Sequence, residues 1–273
     1  MADKIKPHVV ERVKIIREWE NKNNFREAKD MANLTKFKNY YVPQSIVDES
    51  HSVLSFGVGG DAGFEKAVAF ANKNITVQLF DPTPYSKDKI EMIINRSSRM
   101  LINKSDPTKN VVNRKVSKRL HFTPIAYSDV NGVVPFYYDP ARESDQYGVH
   151  KLEQSFSLVK RGDNFKSVNV ETKNLESIMK DFEMTKVDIL KADIEGLWWQ
   201  FGHDVLDKKI DCKFVAMEFE LNFEPNEDIY LALDKAQIIC DKFKANNYDV
   251  VINRRRDKLM LEMLFIRKDS YEG

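Results

Sequence analysis

The chain has 273 residues, 42% of them hydrophobic and 31% charged, which suits one α/β domain with an extension, or at most two small domains. Its formal charge of +1 excludes a global basic field that would recruit nucleic acid or an anionic membrane. No apolar run approaches the ~18 residues of a membrane span, and residues 1–20 lack the apolar block of a signal peptide, so a cytoplasmic protein is expected. Cys212 and Cys240 have no metal-ligand spacing and are expected as buried thiols in a reducing compartment.

Residues 1–50 precede the first strand of the domain. Val9, Val10, Val13, Ile15, Ile16 and Trp19 recur at roughly helical spacing among charges, which predicts an amphipathic helix. Asn21, Asn23, Asn24 and Asn33 are breakers. A cap over a ligand site and a homo-oligomer contact are both open roles for this segment. From residue 51 to 273 strands alternate with helices, as in a parallel sheet covered on both faces. The spacing predicts a strand at 53–56, a helix at 62–72, a strand at 76–80 and a helix near 87–103. The Lys- and Arg-rich stretch 104–119 reads as a solvated helix face or loop, and a third strand follows at 120–126. An insertion is expected at about 130–166, β-rich over 132–138 and polar afterwards. Next come a short strand at 167–171, a helix at 175–182, strand four at 187–192, a helix carrying Trp198 and Trp199, strand five at 214–219 and a helix at 226–246. The last two strands, 248–253 and 261–267, are joined by the short turn 254–258. They must run antiparallel, because a parallel crossover needs a dozen or more residues.

Two segments more than a hundred residues apart carry the chemistry. In the first, Val53-Leu54-Ser55-Phe56-Gly57-Val58-Gly59-Gly60-Asp61, a buried strand runs into glycines that allow a tight turn and close backbone approach to a nucleotide-like cofactor. Gly57-x-Gly59-x-x-Ala62 also satisfies the relaxed dinucleotide fingerprint, which keeps an NAD-dependent oxidoreductase in view. Asp81 ends strand two, where a carboxylate can accept both hydroxyls of an adenosine ribose, and Asp81-Pro82-Thr83-Pro84 is a stiff, non-helical exit. The second segment, Val187-Asp188-Ile189-Leu190-Lys191-Ala192-Asp193-Ile194-Glu195-Gly196, is a buried strand ending in carboxylates. Strand alternation puts Lys191, Asp193 and Glu195 on one face, where charge is costly unless paired, so Lys191 is expected against a carboxylate. Glu218 and Glu220 share a face at the end of strand five. If strands four and five are neighbours, four carboxylates converge on one crevice, although no spacing singles out a metal site.

The pattern Ser55-Phe56-Gly57, Phe64-Glu65, Phe80-Asp81-Pro82 and Lys191-x-Asp193-x-Glu195-Gly196 resembles the FkbM-type methyltransferases. The resemblance covers roughly residues 52–220, and the rest only in strand order. It implies a Rossmann-like class I methyltransferase fold: a mostly parallel seven-stranded sheet with an antiparallel C-terminal hairpin strand. It also implies S-adenosylmethionine (SAM) as cofactor and O-methylation of a hydroxyl on a sugar, glycoconjugate or similar small metabolite. On this reading Phe56, Gly57, Gly59, Gly60, Asp61, Asp81, Pro82 and Asp193 surround the cofactor. Ile125-Ala126-Tyr127-Ser128-Asp129 resembles the family segment near the adenine, with Ala126 and Tyr127 as apolar walls and Ser128 as a polar reader. Many SAM enzymes carry an acid two residues before the first glycine. Ser55 stands there in this chain, so Asp61 and backbone amides are expected to hold the methionine end. A hydroxyl acceptor needs its proton accepted as it attacks. Asp193 leads as that base or as the residue that orients the acceptor, then Glu195, with Glu218 and Lys191 in the same catalytic group. Ser155 and Ser157 resemble family positions near the site. Tyr137, Tyr138 and Tyr147 offer aromatic faces suited to a sugar, one of Trp198 and Trp199 is expected to wall the acceptor pocket, and His150 and His203 read as surface residues. A module that holds SAM without turning it over remains a non-catalytic alternative.

Overall fold

The apolar runs of the domain assemble into one twisted sheet. The computed structural model describes residues 7–60, 62–96, 116–140, 156–221, 228–254 and 260–271. Helix α1 (Pro7–Asn23), strand β1 (Arg26–Glu27), the hairpin β2 (Leu34–Phe37) and β3 (Tyr40–Pro43), and helix α2 (Gln44–Glu49) come first. The repeating part then runs β4 (Ser52–Phe56), α3 (Gly63–Ala71), β5 (Thr76–Phe80), α4 (Pro84–Arg96) and β6 (Leu120–Thr123). A small sheet follows, made of β7 (Ala126–Tyr127), β8 (Gly132–Tyr138) and β9 (Lys166–Lys173). The chain returns through α5 (Leu175–Asp181), β10 (Val187–Ala192), α6 (Trp198–Asp207), β11 (Cys212–Glu220), α7 (Ile229–Ala245), β12 (Tyr248–Asn253) and β13 (Met260–Arg267).

The main sheet has the order β1-β12-β13-β11-β10-β4-β5-β6. All its pairs are parallel except those of β13, which runs antiparallel to both β11 and β12. The seven expected strands are thus present, with the antiparallel C-terminal hairpin, and the two-residue β1 adds an eighth at the edge. From β4 the chain winds outward through β5 and β6, then crosses back to β10 on the other side of β4. That reversal creates a crevice at the carboxyl ends of β4 and β10, the usual place for a ligand in an open α/β sheet. The register sets Lys191 beside Ser55 and Ala192 beside Phe56, so both strands end level.

Alternation along the central strands feeds two cores. Leu54, Phe56, Phe80, Leu190, Ala192, Val215 and Met217 face α5, α6 and α7, with Ile16 of α1 joining them. Val53, Val77, Leu79, Ile189, Phe214 and Ala216 face the other way, onto α3, α2 and the β2–β3 hairpin. Ala28, Leu34, Phe37, Tyr40, Val42, Ile46 and Val47 belong to this second core, so packing runs straight through the boundary expected near residue 50.

Three local expectations change. The strand expected over 120–126 splits: Pro124 has no N–H to donate to a ladder, β6 stops at Thr123, and the Ile125 N–H turns back to the Thr123 carbonyl at 2.9 Å. Ala126 and Tyr127 then pair with β9 in the small sheet. Of the basic stretch 104–119, the part to residue 115 lies outside the described residues. Arg119 lies in the turn before β6, but its guanidinium is not simply solvated: it donates to the Ala69, Asn72 and Ile75 carbonyls at 2.6, 2.7 and 3.2 Å and so caps the end of α3. The helix expected near 87–103 begins earlier, at Pro84, and is described as far as Arg96.

Candidate functional site

The glycine turn is locked to the end of β10. Gly57 and Gly59 have φ of +67° and +63°, a region that favours glycine. A Cβ on Gly57 would lie 1.6 Å from the Asp193 carbonyl oxygen, so no other residue fits. The Gly57 N–H donates to Phe80 O at 2.9 Å, and the Asp193 N–H to Phe56 O at 3.1 Å. Three strand ends therefore share one hydrogen-bonded frame.

Lys191 lies beneath that turn. Its ammonium donates to the Gly57 carbonyl at 3.3 Å and stands 3.9 Å from the Glu65 carboxylate. Glu65 also accepts from the Ser55 hydroxyl at 2.5 Å, so the acid in this neighbourhood comes from α3 rather than from β4. The expected pairing of Lys191 with a carboxylate is present. The face expected to be common to Lys191, Asp193 and Glu195 is not, because β10 ends at Ala192 and Glu195 has a φ of +47°. Lys191 supports the turn from below and is not part of the crevice lining.

Asp81 leaves β5 buried, and both its oxygens are engaged. Oδ2 accepts from the Gly59 N–H at 2.9 Å, while Oδ1 accepts from the Thr83 N–H at 2.9 Å and the Thr83 hydroxyl at 2.6 Å. Burial pushes its carboxyl above the usual carboxylate range, partly opposed by the Thr83 and Gly59 hydrogen bonds. The Ser86 hydroxyl, 2.7 Å from that of Thr83, is a further hydrogen-bonding neighbour of the carboxylate. Asp81 also lines the crevice.

The second wall is acidic. Glu195 and Gly196, both with positive φ, turn the chain from β10 toward α6. The insertion holds that turn, since the Ser157 hydroxyl donates to Glu195 O at 2.8 Å and the Arg161 guanidinium pairs with the Glu195 carboxylate. From β11, Glu220 Oε2 accepts the Gly196 N–H at 2.6 Å. Its Oε1 is buried with no hydrogen-bond partner among the described residues. Burial first, and then the nearby charges of Glu195 and Asp193, raise the Glu220 carboxyl well above its ordinary range. Carboxylate oxygens of Asp193, Glu195 and Glu220 all lie within 4.8 Å of one another.

These walls enclose a crevice of about 530 Å³, within the roughly 300–1,000 Å³ typical of small-molecule sites. Of the residues expected at the site, Phe56, Gly57, Gly59, Asp81, Pro82, Ala126, Tyr127, Asp193, Glu195 and Glu218 line it. Gly60 does not; it lies against the Tyr85 ring. Nor does Ser128, whose hydroxyl is turned to Asp129 and the Val130 N–H. Asp61 lies outside the described residues, as do Tyr147, His150 and Ser155. Among the described residues, none before Phe56 lines the crevice.

Sequence reasoning missed the apolar wall of Phe136, Phe156 and Leu158, and the cation Arg161, all from the insertion. Tyr138 was expected as an aromatic face; its ring packs against Phe156 in a tilted arrangement and so backs this wall. Trp198 packs on Phe219 in the core, and Trp199 against His203, which pairs with Asp207. Neither tryptophan reaches the crevice.

Residues 6–250 match the model of the methyltransferase FkbM domain. The chain belongs to this family. No curated protein sequence matches it. Among solved structures, it is similar to the methyltransferase FkbM from Methylobacillus flagellatus KT, at 10% identity over 96% of this chain and 55% of that one, with a TM-score of 0.47. An O-methyltransferase from Bacillus cereus in complex with SAH is 8% identical over 97% and 93% of the two chains, with a TM-score of 0.42. The O-methyltransferase TomG from Streptomyces achromogenes, in complex with SAM, is 8% identical over 97% and 92%, with a TM-score of 0.41. In this FkbM-domain chain, the glycine turn, Asp81 and the acidic strand ends form one continuous surface. No described helix is long and apolar enough to cross a membrane.

Proposed function

We propose that this FkbM-family chain binds SAM in the crevice and methylates a hydroxyl of a sugar, glycoconjugate or similar small metabolite. One observation carries the reading: the Gly57–Gly59 turn, Asp81 and Asp193 meet in a single crevice at the point where the strand order reverses. The residues present fit the cofactor. A Cβ on Gly59 would meet nothing within 4 Å, so bare backbone is open to a ligand there. Asp81, a carboxylate on the crevice wall, suits a ribose hydroxyl, and Ala126 with the edge-packed Tyr127 offers an apolar bed for a purine.

When bound, SAM supplies a methyl group activated on a sulfonium. The protein's work is to align and to dehydrate, and positioning of this kind provides much of the acceleration in a displacement. Phe136, Phe156 and Leu158 exclude water from one side. Asp193 accepts the proton of the acceptor hydroxyl or orients it, while Arg161 and Ser157 hold the Glu195 turn in place.

Titration calorimetry with S-adenosylhomocysteine and with NAD tests the site, followed by a screen of hydroxylated acceptors with methyl-radiolabelled SAM. Wild type is expected to bind S-adenosylhomocysteine, and Asp81→Ala to weaken it by about 1.5–3 kcal/mol, the range for a hydrogen bond to a charged group. NAD binding alone would overturn the reading in favour of an oxidoreductase. Cofactor binding with no transfer to any hydroxyl would leave a binding module.

A further inference from the structure

We propose that Asp193, Glu195 and Glu220 form a site for a divalent cation of the hard, oxygen-seeking class of magnesium, manganese and calcium. The three carboxylates come from two adjacent strand ends, and the backbone fixes each one. Asp193 is held through its N–H on Phe56, Glu195 through its carbonyl on Ser157, and Glu220 through Oε2 on Gly196.

Glu220 supplies the independent sign of a ligand. Its side chain is buried in the wall of the crevice, with the residue only 4% exposed. Oε2 is satisfied, while Oε1 is sealed from water and has no hydrogen-bond partner among the described residues. A buried carboxylate oxygen left this way is costly, and the charged groups acting on Glu220 are further acids, Glu195, Asp193 and Glu218. A cation among the three oxygens removes that cost and offsets their mutual repulsion. Arg161 pairs with the Oε2 oxygen of Glu195, and Lys191 is committed to Glu65 and Gly57 below the turn.

The spacing suits such an ion. Oxygens on opposite sides of a calcium ion, each at about 2.3–2.6 Å, lie about 4.6–5.2 Å apart, and those around the smaller magnesium ion lie closer. The separations here are all within 4.8 Å. Carboxylate oxygens without nitrogen or sulfur select hard cations over zinc or copper. Three protein oxygens leave coordination positions open toward the crevice, and hydroxyl oxygens of a small metabolite suit those positions.

This site stands independently of the methyl-transfer reading, and its test needs no turnover. The full chain, stripped with EDTA, is titrated with Mn²⁺ while electron paramagnetic resonance follows the free ion. One saturable Mn²⁺ per chain is expected, displaced by Mg²⁺ or Ca²⁺, with Glu220→Gln and Asp193→Asn each weakening it by roughly 10-fold or more. Asp241→Asn, on the outer surface of α7, serves as a control that should leave binding unchanged. Thermal melts of each variant establish that it is folded, and the more exposed Asp193 provides the test if Glu220→Gln does not fold. The proposal is overturned if wild type shows no saturable site, or if folded Asp193→Asn binds Mn²⁺ as tightly as wild type. Loss of S-adenosylhomocysteine binding with Mn²⁺ binding intact would sink the cofactor reading and leave this one standing.

Discussion

Asp193 combines a fixed backbone with a free side chain. Its N–H is tied to Phe56, its carbonyl presses on the Gly57 Cα, and its carboxylate takes no hydrogen bond among the described residues. Asp81, by contrast, spends three acceptor sites inside the protein. The first arrangement suits a group that must meet an incoming hydroxyl, the second a group that waits for a ribose. Asp193→Asn keeps the shape and removes the basic oxygen. Turnover is expected to fall by roughly 10²–10⁴-fold, the worth of a positioned base, with S-adenosylhomocysteine affinity nearly unchanged. Single-turnover kinetics and a cofactor titration on the same variant decide the point. Lost cofactor binding would move Asp193 to the cofactor site, and undiminished turnover would pass the role to Glu195, Glu218 or Glu220.

Among the elements, β4 and β10 matter most, because their level ends build the crevice while their starts are pinned together by Asp188. Its carboxylate accepts from the His51 N–H at 2.8 Å and the Ser52 N–H at 3.2 Å, with the Lys213 ammonium at 3.5 Å. Burial alone would raise its carboxyl. The His51 and Ser52 hydrogen bonds and the Lys213 charge more than offset this and leave it below the usual carboxylate range. Since the folded value is depressed, the stabilisation is present above the unfolded value of about 3.9 and is lost as pH falls through the folded one. Asp188→Asn is therefore expected to cost about 1.5–3 kcal/mol at neutral pH and to lose that deficit at acid pH, below the depressed folded value. Urea denaturation of both proteins at the two pH values measures it; a deficit independent of pH would show that packing, not charge, is the cause. The strands themselves were legible because apolar runs and turn residues mark them. The split at Pro124 was written in the sequence too, but the apolar residues on both sides masked it. The contact of Arg161 with Glu195 was not legible, since it spans 34 positions and depends on how the insertion folds back. No local periodicity encodes such a contact, and the same holds for the wall of Phe136 and Phe156.

At the scale of the whole molecule, residues 28–47 pack into the core that covers one face of the sheet. The family match begins at residue 6. Val42, Ile46 and Val47 are fully buried in the core that covers one face of the sheet. The Asn72 side chain at the end of α3 donates to the Val47, Asp48 and Ser50 carbonyls, and the Asn253 side chain reaches Asn39 O at 2.8 Å. Tyr40 lies against Phe64 and places its ring 5.5 Å from the Lys191 ammonium, which links the hairpin to the support of the glycine turn. Burying one large aliphatic side chain contributes about 1.5–3 kcal/mol, so these three alone supply about 4.5–9 kcal/mol. That rivals the whole stability of a typical domain, about 5–15 kcal/mol. A chain cut to residues 50–273 is therefore expected to lose cooperative unfolding and S-adenosylhomocysteine binding together, although no described residue before Phe56 lines the crevice. Urea denaturation followed by circular dichroism, alongside a cofactor titration, measures both. A truncated chain that unfolds cooperatively with the wild-type denaturant dependence would show the segment to be an accessory layer, leaving an oligomer contact as its role.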